Sequence, residues 1–216
     1  MSTRSEAAKL EKIEKRPRTH AERTGQSDQL MIRAAIRLIA RQGYFRTTLA
    51  EIGRAAGYSQ GLVSYRFGSK EGLLRTLVKR ITNRFWRDQM HRAIEDRPGL
   101  DALCAMVDTY LKELVARESR LRAIYVLMGE ALGPVPEIRK VFAELNARLR
   151  AVSEESIRRG IAERQIRADI DPASEAAVCV ALLRGVSMQW LVDPGCFDLA
   201  TVAERVKATF RRSLAV

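Results

Sequence analysis

Apolar residues recur at helical spacing over most of this chain. Ile32, Ala35, Ile36 and Ile39 fall at i, i+3, i+4 and i+7 and stop at Gly43, the stripe that an amphipathic helix buries against its neighbours. Leu49, Ile52 and Ala56 mark a second, shorter helix, and a third is predicted from about Gln60 to Phe67. A fourth begins after Ser69 and carries Leu74, Leu77, Val78, Ile81 and Phe85 on one side; it continues toward Glu95 and ends at Pro98-Gly99. Further helical stretches fall near 100–118, 121–132, 136–164, 172–192 and 198–214. No segment alternates like a half-buried strand and no internal repeat is present, so the pattern predicts an all-α chain of about nine helices. Residues 1–28 are different. They are polar and charged, with Pro17 and Gly25, and Leu10 and Ile13 are too few to hold a helix over 5–15. They read as a flexible arm.

Residues 45–74 carry the most specific local chemistry. Thr48-x-x-Glu51 is a capping box, in which the hydroxyl accepts from the Glu51 amide and the carboxylate from the Thr48 amide. Gly53 stands where two short helices must cross closely, and Gly57 is free to take the positive φ of a tight turn. Ser59 caps the next helix. Ile52, Ala56, Val63 and Phe67 would hold the pair at a steep angle, which makes a helix-turn-helix. Gln60, Ser64, Tyr65 and Arg66 are its expected outward positions. All form hydrogen bonds and none is acidic. Arg46, Arg54, Lys70, Arg75, Lys79 and Arg80 surround them with positive charge, as phosphate binding and base readout require.

The charge distribution points the same way. The chain of 216 residues has a formal net charge of +12. Residues 29–97 hold fourteen Lys/Arg against five Asp/Glu, whereas 98–216 hold seventeen against sixteen. One basic module joined to a neutral body implies an anionic partner for the module. Other classes find little support. His20 and His91 are the only histidines, and no metal-binding, nucleophile or phosphate-loop motif is present; no enzyme, cofactor or metal site is expected. Cys104, Cys179 and Cys196 show no paired spacing and are read as inert core thiols in a reducing compartment. No apolar run approaches the ~18 residues of a membrane span, and Met1–Lys15 lacks a signal-peptide core, so a cytoplasmic protein is expected. A helical carrier without DNA and a non-specific architectural DNA binder stay open as alternatives.

The stretch from Ile32 to Leu77, through AAIRLIARQGY and TTLAEIGRAAGYSQGLVSYRFGSKEGLL, resembles the DNA-binding domain of the tetracycline-repressor (TetR) family of bacterial regulators. Gly57, Phe67, Lys70, Glu71 and Leu74 match in type and spacing, and LLRGVSMQWLVDPGCFDL (182–199) resembles the penultimate helix and turn of many members. The resemblance implies that Thr48 contacts a phosphate at a helix N-terminus, that Gln60 reaches base edges, and that Gly61 lets the backbone approach. It also implies that Tyr65 and Arg66 touch sugar-phosphate and that Lys70 pairs with a phosphate. Ser64 stands where the family usually carries Tyr, which removes that contact or moves it to Tyr65. Arg46 and Ser59 complete the expected interface. In the arm, Lys15-Arg16-Pro17-Arg18 could follow a minor groove, but five acids in the same stretch favour a solubilising tail.

The resemblance divides the chain into the arm (1–28), a helix-turn-helix domain (29–75) and a ligand-binding and dimerisation domain (76–216). It implies a homodimer built on the last two helices. Val178, Leu182, Gly185 and Val186 offer a small, apolar face, with Phe197, Val202, Val206 and Phe210 adding to it. Two-fold symmetry then predicts a near-palindromic operator. An effector would occupy a mainly apolar pocket, for which Phe85, Trp86, Met90, Met106, Tyr110, Tyr125, Met128, Phe142, Met188 and Trp190 are candidates. Met and aromatic residues at helical spacing are equally ordinary core. His91 and Arg92 suit a solvated face better than an anion anchor. Glu130, in an apolar stretch, reads as either a buried anchor or a surface acid.

Overall fold

In the computed structural model, which describes residues 19–133 and 136–216, all regular elements are helical, apart from one isolated bridge between Ile166 and Ala215. The order is α1 (His20–Gln42), α2 (Leu49–Ala56), α3 (Gln60–Phe67) and α4 (Lys70–Phe85). The α4 rod runs on through a π turn, Trp86–Met90, into a last α-helical turn, His91–Ile94. Then come α5 (Gly99–Ala116), α6 (Glu118–Glu130), α7 (Pro136–Ala162), α8 (Pro172–Val192) and α9 (Leu199–Leu214). With the α4 rod counted once, the described residues form nine helices, as the pattern predicts.

The expected arm does not run as far as residue 28. Thr19 and Glu22 make a capping box, the Glu22 amide donating to the Thr19 hydroxyl at 3.2 Å and the Thr19 amide to the Glu22 carboxylate at 2.7 Å. Residues 20–28 are therefore helical and continuous with the predicted first helix. They have almost no apolar periodicity because they lie ahead of the core, which begins at Met31. The Lys15–Arg18 run falls outside the described residues.

The expected boundary at 75 is not a packing boundary. One core gathers Met31, Ile39, Ile52, Val63 and Leu74 from α1–α4 together with Ile124 and Leu127 of α6 and Phe142 of α7. The other gathers Trp86 and Met90 with α5, the middle of α7, α8 and α9. Helix α6 is thus shared between them. At the lower end α5 meets α7 almost backbone to backbone. A Cβ on Gly99 would lie 2.2 Å from the Gly160 nitrogen and 2.3 Å from the Ser156 carbonyl oxygen, so only glycine fits.

Contrary to the sequence reading, α8 is long and apolar enough to cross a membrane: 21 residues with a mean hydropathy of 1.4 over its best window. Only Glu175 and Arg184 carry charge within it. Ala176, Cys179, Leu183, Ser187 and Leu191 face the core, while the opposite side is open. Two-sided apolarity is what a helix between a protomer core and a second surface needs.

Candidate nucleic-acid interface and effector cavity

Helices α2 and α3 form the expected helix-turn-helix. At Thr48 the amide donates to Glu51 Oε2 at 2.8 Å and the Glu51 amide returns to the Thr48 hydroxyl at 3.1 Å. The bond from the Thr48 amide, then that from its hydroxyl, holds the Glu51 carboxyl below its usual range. Gly57 closes α2 in the left-handed region at φ 79°, and the Tyr58 amide donates to the Gly53 carbonyl at 2.8 Å. A Cβ on Gly53 would sit 2.8 Å from the Tyr58 carbonyl oxygen, so the crossing depends on that glycine. The Ser59 hydroxyl accepts from the Leu62 amide at 3.2 Å and caps α3. Val63 is buried against Ile52 and the rest of the first core.

On the outer side Arg46, Thr48, Ser59, Gln60 and Gly61 are exposed, and Tyr65 is 83% exposed. Ser64 is half-buried at the edge of this face. Arg66 does not take the expected outward position. Being three residues after Val63, it turns inward on the helix, where its Nε lies 3.4 Å from Asp28 of α1. Asp28 also meets Arg80 of α4 at 3.6 Å. Arg66 therefore ties α1 to α3 rather than facing outward. Lys70 is half-committed as well. Its Nζ donates to the Phe45 carbonyl at 3.2 Å and lies 4.2 Å from the Tyr44 ring centroid. Burial lowers its pKa, with Glu130 and Glu51 opposing.

A narrow cavity of about 50 Å³ lies between the two cores. Its walls are Ile81, Thr82 and Phe85 of α4, Trp86 of the π turn, Tyr110 and Glu113 of α5, Leu121 and Ile124 of α6, Leu145 and Leu149 of α7, and Arg184 of α8. Of the expected pocket residues, Phe85, Trp86 and Tyr110 line it. Tyr125 stands behind, its hydroxyl 3.2 Å from that of Tyr110. The others lie elsewhere. Met90 is sealed in the second core, as is Met106, whose sulfur accepts from the Ser153 hydroxyl. Met128 and Phe142 belong to the first core, Trp190 packs on the outside of the second, and Met188 is 51% exposed on the open side of α8. Helical spacing shows that a residue faces inward but not which of several inward surfaces it meets.

Sequence reasoning missed Arg184 as a wall residue, though a lone arginine in an apolar run was the available signal. Its Nη1 donates to the Tyr110 hydroxyl at 3.0 Å and its Nη2 to Asn146 Oδ1 at 3.1 Å. Its guanidinium lies 5.8 and 5.6 Å from the Tyr110 and Tyr125 ring centroids, and its Nε is buried without a partner. Burial pushes the Tyr110 hydroxyl far above its ordinary range, so it stays protonated. Glu113 is held by Arg117 Nε at 2.8 Å.

Glu130 is a half-buried anchor between the two parts of the molecule. The Tyr44 amide donates to both its oxygens, at 3.0 and 3.2 Å. Gly43, at φ 82° and ψ 168°, makes room, since a Cβ there would meet Glu130 Oε1 at 2.8 Å. His91 lies on the surface beside Glu95 at 3.1 Å, and Arg92 is exposed.

On the open side of α8, Val178 is 50% and Val192 76% exposed, and Gly185 faces empty space. Leu182 and Val186 are half-buried beside them. Phe210 is not part of such a face. At 2% exposure it belongs to the second core, because the inward stripe of α9 is Ala203, Val206 and Phe210. Cys104 and Cys179 are buried, but Cys196 is exposed in the α8–α9 turn.

Residues 31–77 match the family profile described as bacterial regulatory proteins, tetR family, and residues 99–215 match the BetI-type transcriptional repressor, C-terminal profile. The HTH-type transcriptional regulator TtgR of Pseudomonas putida is 28% identical over 184 residues, covering 81% of this chain and 85% of that protein. Among solved structures, a transcriptional regulator from Saccharomonospora viridis in complex with choline superposes with a TM-score of 0.78 at 20% identity, over 89% of this chain and 99% of that one. A SmeT–triclosan complex gives 0.76 at 22% identity, over 88% and 92%.

Proposed function

The chain belongs to the TetR family of bacterial regulatory proteins, and we propose that it is a repressor that binds a near-palindromic operator as a homodimer and is released by a small, largely apolar effector. The observation that carries this reading is the double duty of α6. Its first half supplies Leu121 and Ile124 to the cavity, and its last residue, Glu130, holds the Tyr44 amide at the base of the helix-turn-helix. Whatever moves the cavity wall moves the support of the reading helix.

The cavity has room for only a few waters, so an effector must spread its walls. That requirement supplies the differential affinity without which a ligand shifts no equilibrium. The α4 rod also has one end in each part, and its π turn at Trp86–Met90 adjoins the cavity. π turns interrupt the regular ladder and are frequent at functional sites. On the DNA side, Thr48 offers a helix N-terminus to phosphate. Gln60 reads base edges, and Gly61, Tyr65, Ser59 and Arg46 shape and position the contact. Ser64 and Lys70 stand at the rim, where Lys70 exchanges its Phe45 carbonyl for a phosphate. Val178, Leu182, Gly185 and Val186 with the outward Met188 form the two-fold contact, which covers the apolar side of α8. Such a protein works where the operator is, in the bacterial cytoplasm.

The test is selection of a duplex from random sequence by the purified protein, followed by binding in graded salt. A two-fold symmetric consensus with half-sites about one helical turn apart is expected, with affinity falling steeply as salt rises. Binding that is indifferent to sequence, or a monomer that binds as tightly as the dimer, refutes the proposal.

A further inference from the structure

We propose that the effector is an acidic amphiphile whose carboxylate, or an equivalent singly charged oxyanion, pairs with the Arg184 guanidinium inside the cavity. The inference rests on reading this cavity as the effector site. A guanidinium cannot shed its proton at any accessible pH, so the charge of Arg184 is permanent. A charge taken out of water needs an opposite charge or a full set of hydrogen bonds. Arg184 has neither. Its hydrogen-bond partners are the neutral Tyr110 hydroxyl and Asn146 amide oxygen. Its Nε is buried and unpartnered, and among the described residues no carboxylate lies within ion-pair distance of it. The acid in the lining, Glu113, is held by Arg117.

A second guanidinium stands against a wall residue of the cavity. Arg148 stacks 4.8 Å from the Trp86 ring centroid, as Arg184 does beside Tyr110 and Tyr125. A quaternary ammonium ligand would need those aromatic faces for itself, and guanidinium groups already occupy them. A carboxylate meets the opposite situation: a planar donor fork with a free Nε edge, preset by hydrogen bonds to Tyr110 and Asn146. The apolar body of the ligand would lie against Phe85, Trp86 and Leu149, which lie in the same lining.

The test uses matched probes on the full-length protein, read by quenching of tryptophan fluorescence, since Trp86 lines the site. Benzoate, 3-phenylpropanoate and decanoate are each compared with the primary amide of the same skeleton, and 3-phenylpropyltrimethylammonium serves as the cation. The best carboxylate is expected to bind at least tenfold more tightly than its amide and the ammonium probe more weakly than both. In Arg184→Gln the carboxylate-to-amide ratio should fall to within about twofold of unity, while Arg184→Lys should keep part of the preference. Because the readout is a ratio within one protein, a general loss of stability cannot imitate it. An amide or ammonium probe that binds as tightly as the carboxylate, an unchanged ratio in Arg184→Gln, or no binding by any carboxylate overturns the assignment. Release of operator duplex, followed by anisotropy, separates the two readings. Release by a neutral or cationic probe sinks the anion assignment and leaves the effector reading standing; Arg184-dependent binding without release does the reverse.

Discussion

Glu130→Ala tests whether the two parts of the molecule are coupled through α6. The wild-type carboxylate accepts the Tyr44 amide through both oxygens at a half-buried junction. Hydrogen bonds to a charged group contribute about 1.5–3 kcal/mol, and neutral ones about 0.5–1.5. Removing the side chain should therefore cost about 2 kcal/mol, and Glu130→Gln, which keeps a neutral acceptor, about 1 kcal/mol. In a protein of this size each kcal/mol lowers Tm by about 2–4 °C, so drops of about 4–8 °C and 2–4 °C are expected by calorimetry. If the clasp exists only in the DNA-competent arrangement, the same energies weaken operator binding. At 1.4 kcal/mol per tenfold, that is about 30-fold for Ala and fivefold for Gln, measured by anisotropy at fixed salt. Glu118→Ala is the control. Glu118 lies on the same helix in a surface pair with Arg122 at 2.7 Å, and such pairs contribute little. A Glu130→Ala protein that loses the Tm but keeps full operator affinity would show the clasp to be structural only and would refute the coupling.

On the reading face, Gln60→Ala should cost about 1–3 kcal/mol of operator binding and relax selectivity at one base pair, whereas Arg66→Ala should lower Tm and leave the salt slope unchanged, because Arg66 pairs with Asp28. Gly99→Ala should destabilise by at least about 1–3 kcal/mol, seen as a fall in Tm, since its Cβ would meet α7 backbone rather than a movable side chain. In thiol titration at neutral pH, Cys196 should react at once. Cys104 and Cys179 should wait for unfolding, because burial raises both pKa values, that of Cys179 to about 12. The cap carboxylates Asp171 and Asp198 are held low by the Ser174 and Thr201 hydroxyls, then by backbone amides. A depressed pKa gives stability that is complete above the unfolded value and is lost as pH falls below about 4 through the folded value; Asp171→Asn with Asp198→Asn should flatten that acid limb in a Tm-against-pH series.

How much of this was legible in the sequence depends on the kind of residue. Periodic apolar positions gave the helices closely, and the predicted 172–192 and the observed α8 coincide. Thr48, Glu51, Gly57 and Ser59 were readable because each acts on its own neighbours within the chain, through caps and a left-handed turn. What failed was anything requiring knowledge of which inward surface a side chain meets. Met106 and Met188 share residue type and apolar context, yet one is sealed in the core and the other is half exposed. Arg66 looked outward-facing because its inward partner, Asp28, lies 38 positions earlier in a stretch without apolar pattern. The informative exceptions are charges inside apolar runs. Glu130 and Arg184 both break the local pattern, and a chain keeps a charge at such a place only if something repays its desolvation. Tyr44 repays Glu130 within the molecule. Arg184 spends two donors on Tyr110 and Asn146 but keeps a buried Nε without a partner, and that leftover donor is the ground for proposing a ligand at 184, as the Tyr44 contact is the ground for proposing coupling at 130.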